Sequence, residues 1–323
     1  MSTSKILRSA AIAALTCACA AASAQSYPSK PIRVVVPYPP GGSGTIVARI
    51  LGDKLTQAWG QQVLVDSRPG ASGMIGADIV AKSPPDGYTL LAGYTSEVAI
   101  NVSLFRKMAY DPVKDFAPIA LTGVIPMVLL VHPSVPAKTV KELMALAKRQ
   151  PGEMTYGSAG AGSPAHLAHE LLNRSTGVKM VHVPYKGAAP ALVDLLGGHV
   201  FTYFSGMPPA MPHVHAGKLR GLAVSTAKRS AAAPDIPAVA ESVPGFDVPT
   251  WFSLLAPAGT PREIVAKINA ETVKSLNDPA VKPKLAALGA ETTALSADEV
   301  ASFIRKEIEK YAAVVKASGA RVE

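Results

Sequence analysis

The chain has 323 residues, 48% of them hydrophobic, and a formal charge of +9 at neutral pH. That length supports one large or two medium domains around a sizeable core. The basic residues are scattered and only 6% of residues are aromatic, which excludes a nucleic-acid surface of basic side chains interleaved with stacking rings and leaves a general attraction for anions.

Residues 1–24 read as a secretory signal peptide. Lys5 and Arg8 form a positive start, an apolar run follows, and Ala22-Ser23-Ala24 fits the small-residue cleavage pattern. The apolar run is short for a membrane span. Leu15-Thr16 and Cys17-Ala18 are poor contexts for lipidation of Cys17 or Cys19. Cleavage after Ala24 leaves a soluble periplasmic chain beginning at Gln25. Both cysteines leave with the signal, so disulfides, Cys–metal sites and thiol nucleophiles are not expected.

The mature chain then alternates strands and helices. Strands are expected at 32–37, 63–65 and 88–92, with helices at 45–58 and 73–81 between and after the first two. Such alternation predicts a mostly parallel sheet covered by helices. An extended run at 119–132 is interrupted by Gly123 and Pro126. A second series follows. Thr139-Val140-Lys141-Glu142 has the form of a capping box opening a helix to about 150. Strands at 154–156, 180–183, 200–204 and 219–224 are expected, with helices from Ser163-Pro164 and at 190–196 and 208–215. Residues 244–249, rich in turn formers, read as a return linker. Thr260-Pro261-Arg262-Glu263 and Ser296-Ala297-Asp298-Glu299 read as capping boxes of C-terminal helices. The last helix carries the apolar stripe Val300, Phe303, Ile304, Ile308, Tyr311 and Val315. No internal sequence repeat is visible.

Two glycine loops stand at matching strand–helix junctions. The first runs from Pro39 to Thr45, the second from Ser158 to Ser163. Backbone N–H groups and the helix dipole at such a junction favour an anion, and glycine permits close approach. Behind an export signal, where nucleotide cofactors are scarce, this chemistry points to a small carboxylate. Two loops facing one another would hold a diacid, or a carboxylate with a second polar end.

Several stretches together resemble the Bug (TctC-like) extracytoplasmic solute receptors, the binding proteins of tripartite tricarboxylate transporters. They include residues 27–33, Val36-Pro37-Tyr38-Pro39-Pro40-Gly41-Gly42, Ser67-Arg68-Pro69-Gly70-Ala71, Pro85-Asp86-Gly87-Tyr88-Thr89-Leu90-Leu91, residues 110–116, Tyr156-Gly157-Ser158-Ala159-Gly160, Val183-Pro184-Tyr185-Lys186-Gly187 and residues 255–260. Each alone is weak; their order behind a signal peptide is specific. The resemblance implies an α/β, type II-like two-lobed periplasmic binding fold with two parallel or mixed sheets, helices on both faces and two interlobe crossings. Lobe 1 would comprise 25–124 and 250–323, and lobe 2 would comprise 125–249. Closure would hinge near Gly123–Pro126 and Pro244–Pro249.

The resemblance also implies that ligand contacts fall on the two glycine loops. The candidates are Tyr38, Gly41, Gly42, Ser43, Gly44 and Thr45; Thr95 and Ser96; Ser158, Ala159, Gly160, Gly162 and Ser163; and His166 and Ser205. Three positions depart from the family pattern: Thr45 and Ser205, where acidic residues are common, and Glu97, where small or hydroxyl residues are usual. If Glu97 faces the cleft, an amino group on the ligand fits; if it faces solvent, it says nothing about the ligand. His166 and His169, like His213 and His215, have metal-compatible spacing but lack carboxylate or Cys partners, so neither metal nor cofactor is expected. The partners implied are a small mono- or dicarboxylate and inner-membrane transporter subunits, or alternatively a signalling partner.

Two enzyme readings compete. Gly42-Ser43-Gly44 with Asp66 mimics part of a dinucleotide fingerprint, but Val47 occupies the third glycine position. Gly157-Ser158-Ala159-Gly160 has the wrong register for a nucleophile elbow.

Overall fold

In the computed structural model, residues 27–287 and 289–320 are described; the expected signal peptide lies outside them. Two five-stranded sheets each sit between helices. The first holds β1 (Ile32–Val36), β2 (Val63–Ser67), β3 (Thr89–Tyr94), β4 (Phe116–Ile125) and β10 (Thr250–Pro257), in the order β2-β1-β3-β10-β4. The second holds β5 (Met127–Val131), β6 (Thr155–Ser158), β7 (Val181–Pro184), β8 (Thr202–Gly206) and β9 (Arg220–Val224), in the order β7-β6-β8-β5-β9. β1 pairs parallel to β2 and β3, and β6 pairs parallel to β7 and β8. In each sheet the fourth strand arrives from the other lobe and runs antiparallel to both neighbours. The two lobes therefore share one topology, although their sequences show no repeat.

The expected extended run is thus two strands in different sheets, divided at Pro126. Proline lacks the N–H that a continuing ladder needs. The return crossing lies beside it. Buried Ser225 accepts from the Met127 N–H at 3.0 Å and donates to the Val248 carbonyl at 2.8 Å.

α1 (Ser43–Trp59) and α2 (Met74–Ala81) follow β1 and β2; α4 (Val140–Arg149), α5 (Pro164–Thr176), α6 (Ala188–Leu196) and α7 (Met207–His215) belong to the second lobe. β3 runs into a π-helical turn, Ser96–Ile100, then α3 (Asn101–Leu104). α8 (Arg262–Leu276) packs on β4 of the first sheet, α9 (Lys282–Ala287) follows, and α10 (Ala297–Ser318) ends the described chain. α10 packs on β4, the π-helical turn and α3, and also on α5 of the second lobe. None of the helices among the described residues is long and apolar enough to cross a membrane.

The caps partly follow expectation. Ser296 and Glu299 form a reciprocal capping box. Thr139 caps α4, but Glu142 reaches back to the Lys138 N–H instead of the cap residue. Thr260 does not cap α8; its buried hydroxyl donates to the Pro257 carbonyl at 2.7 Å.

Two buried titratable groups shape the fold beside the cleft. Glu97 is fully buried. Its carboxylate accepts from the Tyr94 N–H at 2.5 Å and, weakly, from the Tyr38 hydroxyl at 3.5 Å. Burial pushes its pKa up to about 8. In the second lobe, His166, His182, Tyr156 and His169 stack in a column with ring separations of 4.1, 5.0 and 4.2 Å. Burial lowers the three imidazoles to about 3, 4 and 3 for His166, His182 and His169.

The two shifts act in opposite directions, over windows that overlap between pH 4.5 and 6.5. The histidines bind protons more readily unfolded, so stability falls as pH drops from 6.5 toward 3. Glu97 binds its proton more readily folded, so stability falls as pH rises from 4.5 toward 8. We expect Glu97→Gln to flatten the alkaline limb between pH 6.5 and 8, by about 2 kcal/mol at most, and to steepen the acid limb below pH 6.5, where the opposing contribution of Glu97 is lost and the histidines act alone. Urea midpoints at pH 4, 6.5 and 8 measure both limbs; an alkaline limb identical in the variant would refute the assignment.

Candidate functional site

Parallel strands send their following loops to one edge, and the shared topology points those edges at each other. Six junctions therefore meet: β1–α1, β2–α2 and β3–π turn from the first lobe, β6–α5, β7–α6 and β8–α7 from the second. A cleft lies between them. Its floor is aromatic: Tyr38 packs on Tyr94 at 4.7 Å, and Tyr94 meets Phe252 edge-on at 4.8 Å. Tyr203, Phe204 and Met127 add the second lobe's share. Among the described residues, no charged side chain lines it.

Backbone donors take the place of charges. Ser43, Gly44 and Thr45 occupy the first turn of α1, whose N–H groups have no intrahelical acceptor. α6 begins at Ala188 on the cleft wall behind Gly187, with no side-chain cap. In α5 the Ser163 hydroxyl takes the His166 N–H and Pro164 has none, which leaves the Ala165 N–H at the wall. α7 adds its dipole but little else: the Pro126 carbonyl takes the Met207 N–H, and the next two residues are prolines. Three helix starts with spare donors, and a fourth without, raise the local positive potential.

Close approach dictates two glycines. A Cβ on Gly44 would fall 2.2 Å from the Tyr94 ring, and one on Gly206 would fall 2.1 Å from the Ser43 hydroxyl across the cleft. The lobes therefore touch, and the cleft is closed.

Of the candidate residues, Tyr38, Gly42, Ser43, Gly44, Thr95, Ser96, Ala159 and Ser163 line the cleft. The Thr95 hydroxyl is bonded to the Trp251 backbone, with its N–H at 2.8 Å and its carbonyl at 3.1 Å. Gly160 lines an adjoining vestibule, which Lys186 also borders. Gly41 lies beside Ala189 of the other lobe. The remainder sit behind the wall. Thr45 is buried and reaches toward the Pro39 carbonyl at 3.5 Å. The buried Ser205 hydroxyl turns to the Gly206 carbonyl. Ser158 bonds its own loop and His182 Nε2, at 2.6 Å. His166 Nδ1 accepts from the Gly162 N–H at 3.1 Å and so braces the second loop. Glu97 faces neither the cleft nor solvent; it is buried beneath Tyr38 and Gly73. Sequence reasoning missed Tyr94, Gly187–Ala188, Gly206 and Phe252. The run Lys186-Gly187 before an apolar helix was a third strand–glycine–helix signal of the same kind.

Among the described residues, no group of three or more His, Cys, Asp and Glu is placed to hold a metal ion. The family model described as "Tripartite tricarboxylate transporter family receptor" matches residues 47–320. Protein BugT of Bordetella pertussis is 39% identical over 303 residues, covering 93% of each chain. Among solved structures, R. palustris Rpa4515 with adipate superposes with a TM-score of 0.89 at 38% identity, covering 92% of this chain and all of that one. MatC from Rhodopseudomonas palustris with bound malate gives 0.85 at 33% identity, covering 90% of this chain and all of that one. The two solved structures share this two-lobed architecture, and the family is one of solute receptors rather than enzymes. The chain belongs to the tripartite tricarboxylate transporter receptor family, the Bug/TctC solute-binding proteins.

Proposed function

We propose that this protein is a periplasmic receptor that captures a small mono- or dicarboxylate in its interlobe cleft and presents it to the membrane subunits of a tripartite tricarboxylate-type transporter. One observation carries the reading: three helix starts with free backbone donors converge on a cavity without a charged side chain. An anion there is held by preorganised neutral dipoles, and no buried acid repels it, because Glu97 is turned away and favours its neutral form near neutral pH. The adipate and malate carried by two relatives are of this chemical class. The ligand's apolar segment rests on the row Tyr38, Tyr94 and Phe252. With Glu97 behind the wall, the site offers no counter-charge for an amino group. The export signal expected at 1–24 supports the location. Residues 25–124 with 250–323, and 125–249, are the two lobes that would part at Pro126 and beside Pro249.

Ligand-free protein, prepared by unfolding and refolding, should be screened by thermal shift against mono- and dicarboxylates including adipate and malate. At a hundredfold its dissociation constant a ligand stabilises by about 2.7 kcal/mol. We expect at least one acid to raise the midpoint and neutral amides of the same acids to do nothing. A panel in which no acid acts would refute the carboxylate reading.

Gly206→Val places a side chain where the Ser43 hydroxyl now lies, so it should hinder closure around the ligand. Affinity for the acid found in that screen should fall about tenfold or more, equivalent to 1.4 kcal/mol, in calorimetry. The ligand-free melting temperature should barely change, because an open cleft has room. Unchanged affinity would show that closure is not needed for binding.

A further inference from the structure

Four consecutive residues in the β2–α2 loop have left-handed backbones: Gly70 (φ +138°), Ala71 (+46°), Ser72 (+53°) and Gly73 (+88°). Ala71 and Ser72 are the only non-glycine residues with positive φ among those described. Such conformations are costly for residues with a Cβ and persist only where their surroundings impose them. Here the surroundings come from both lobes. The Ser72 hydroxyl donates to the Ala161 carbonyl, in the second glycine loop, at 2.5 Å. The Ser72 carbonyl is gripped from its own lobe by the Asn101 amide at 3.0 Å and the Tyr38 hydroxyl at 3.2 Å.

Gly162, next to the accepting residue, completes the fit. A Cβ there would lie 2.4 Å from Leu104 and 3.2 Å from Asn101 Oδ1, so the loop tip seats directly on the first lobe. Topology supplies a mirror contact. The equivalent junction of the second lobe, Gly187 to Ala189, meets Pro39 and Gly41 of the first glycine loop. That contact is apolar and without direction. Of these two loop contacts, only the Ser72 one carries a side-chain hydrogen bond.

We infer that Ser72 is a positioning residue, a latch that holds the second glycine loop against the first lobe in a closed form strained at Ala71 and Ser72. Ser72 borders the vestibule but not the cleft itself. Its effect on the ligand runs through two groups: Tyr38, which lines the cleft, and the loop bearing Ala159, which does the same. The bond favours closure and the strain opposes it, so the pair sets the closed-to-open ratio. Apparent affinity scales with that closed fraction.

The inference rests on the closing cleft proposed above, yet it can be read without any ligand. Spin labels on cysteines at exposed Gln57 in α1 and Lys148 in α4, in a chain starting at Gln25 that has no other cysteine, report the lobe separation by pulsed electron resonance. Ser72→Ala should shift the closed-to-open ratio toward open by roughly fivefold, the worth of one net hydrogen bond. Ala71→Gly, which keeps the bond and relieves the backbone, should shift it toward closed. With the acid identified by thermal shift, Ser72→Ala should speed dissociation by a similar factor and leave association unchanged. Distance distributions unchanged in Ser72→Ala would overturn the latch. Unchanged distributions in Ala71→Gly would overturn the strain. A failure of every acid to bind would sink the carboxylate reading while leaving the ligand-free distances to decide the latch.

Discussion

One residue, Pro126, separates a strand of the first sheet from a strand of the second, and the architecture follows from that economy. With no linker to absorb slack, β4 and β5 fix how the two sheets face each other. The Pro126 carbonyl accepts from Met207 at the start of α7, and Met127 lines the cleft. The hinge is therefore continuous with the binding surface. Ser225 ties the return crossing to the same point, so both strands of the hinge bend together.

The facing edges solve an electrostatic problem without charged side chains. A lysine or arginine in a closed, aromatic-walled cavity would carry a large desolvation cost in the empty state. Helix starts carry no such penalty, since their N–H groups are part of the backbone whether or not a ligand is present. The acidic residue nearest the floor, Glu97, is held by the Tyr94 N–H and favours its neutral form. The overall positive charge of the chain acts at a distance and would draw an anion toward such a pocket.

The strand–glycine–helix grammar made much of this legible. The loops at Gly42 and Gly160, the two α/β series and the two crossings follow from local signals that survive in any context: turn glycines, apolar runs, and Ser163-Pro164 as a helix start. Less visible was anything set by long-range packing. The shared topology of the lobes leaves no sequence repeat, because what is repeated is the strand order and not the side chains. The π-helical turn at Ser96–Ile100 depends on a buried carboxyl bonding the Tyr94 N–H, and no periodicity announces that. Thr260 had the spacing of a cap, but burial gave its hydroxyl a nearer acceptor. Gly206 carried no signal in the sequence; only the approach of Ser43 from the other lobe shows why it lacks a side chain.

The C-terminal helix has a mechanical consequence. Because α10 packs on β4 and α3 in one lobe and on α5 in the other, the lobes cannot swing freely about their two strands. Parting them requires α10 to let go of α5 or to slip along it. Helix–helix interfaces interdigitate, so slipping proceeds in steps between seated registers rather than as a smooth glide. The Trp251 indole N–H bonds Glu307, and the Tyr311 hydroxyl bonds the Pro249 carbonyl, which anchor the helix to the return strand. The α5 side is then the one that yields. The receptor is in this sense a toggle rather than a spring, with few intermediate openings between its seated states.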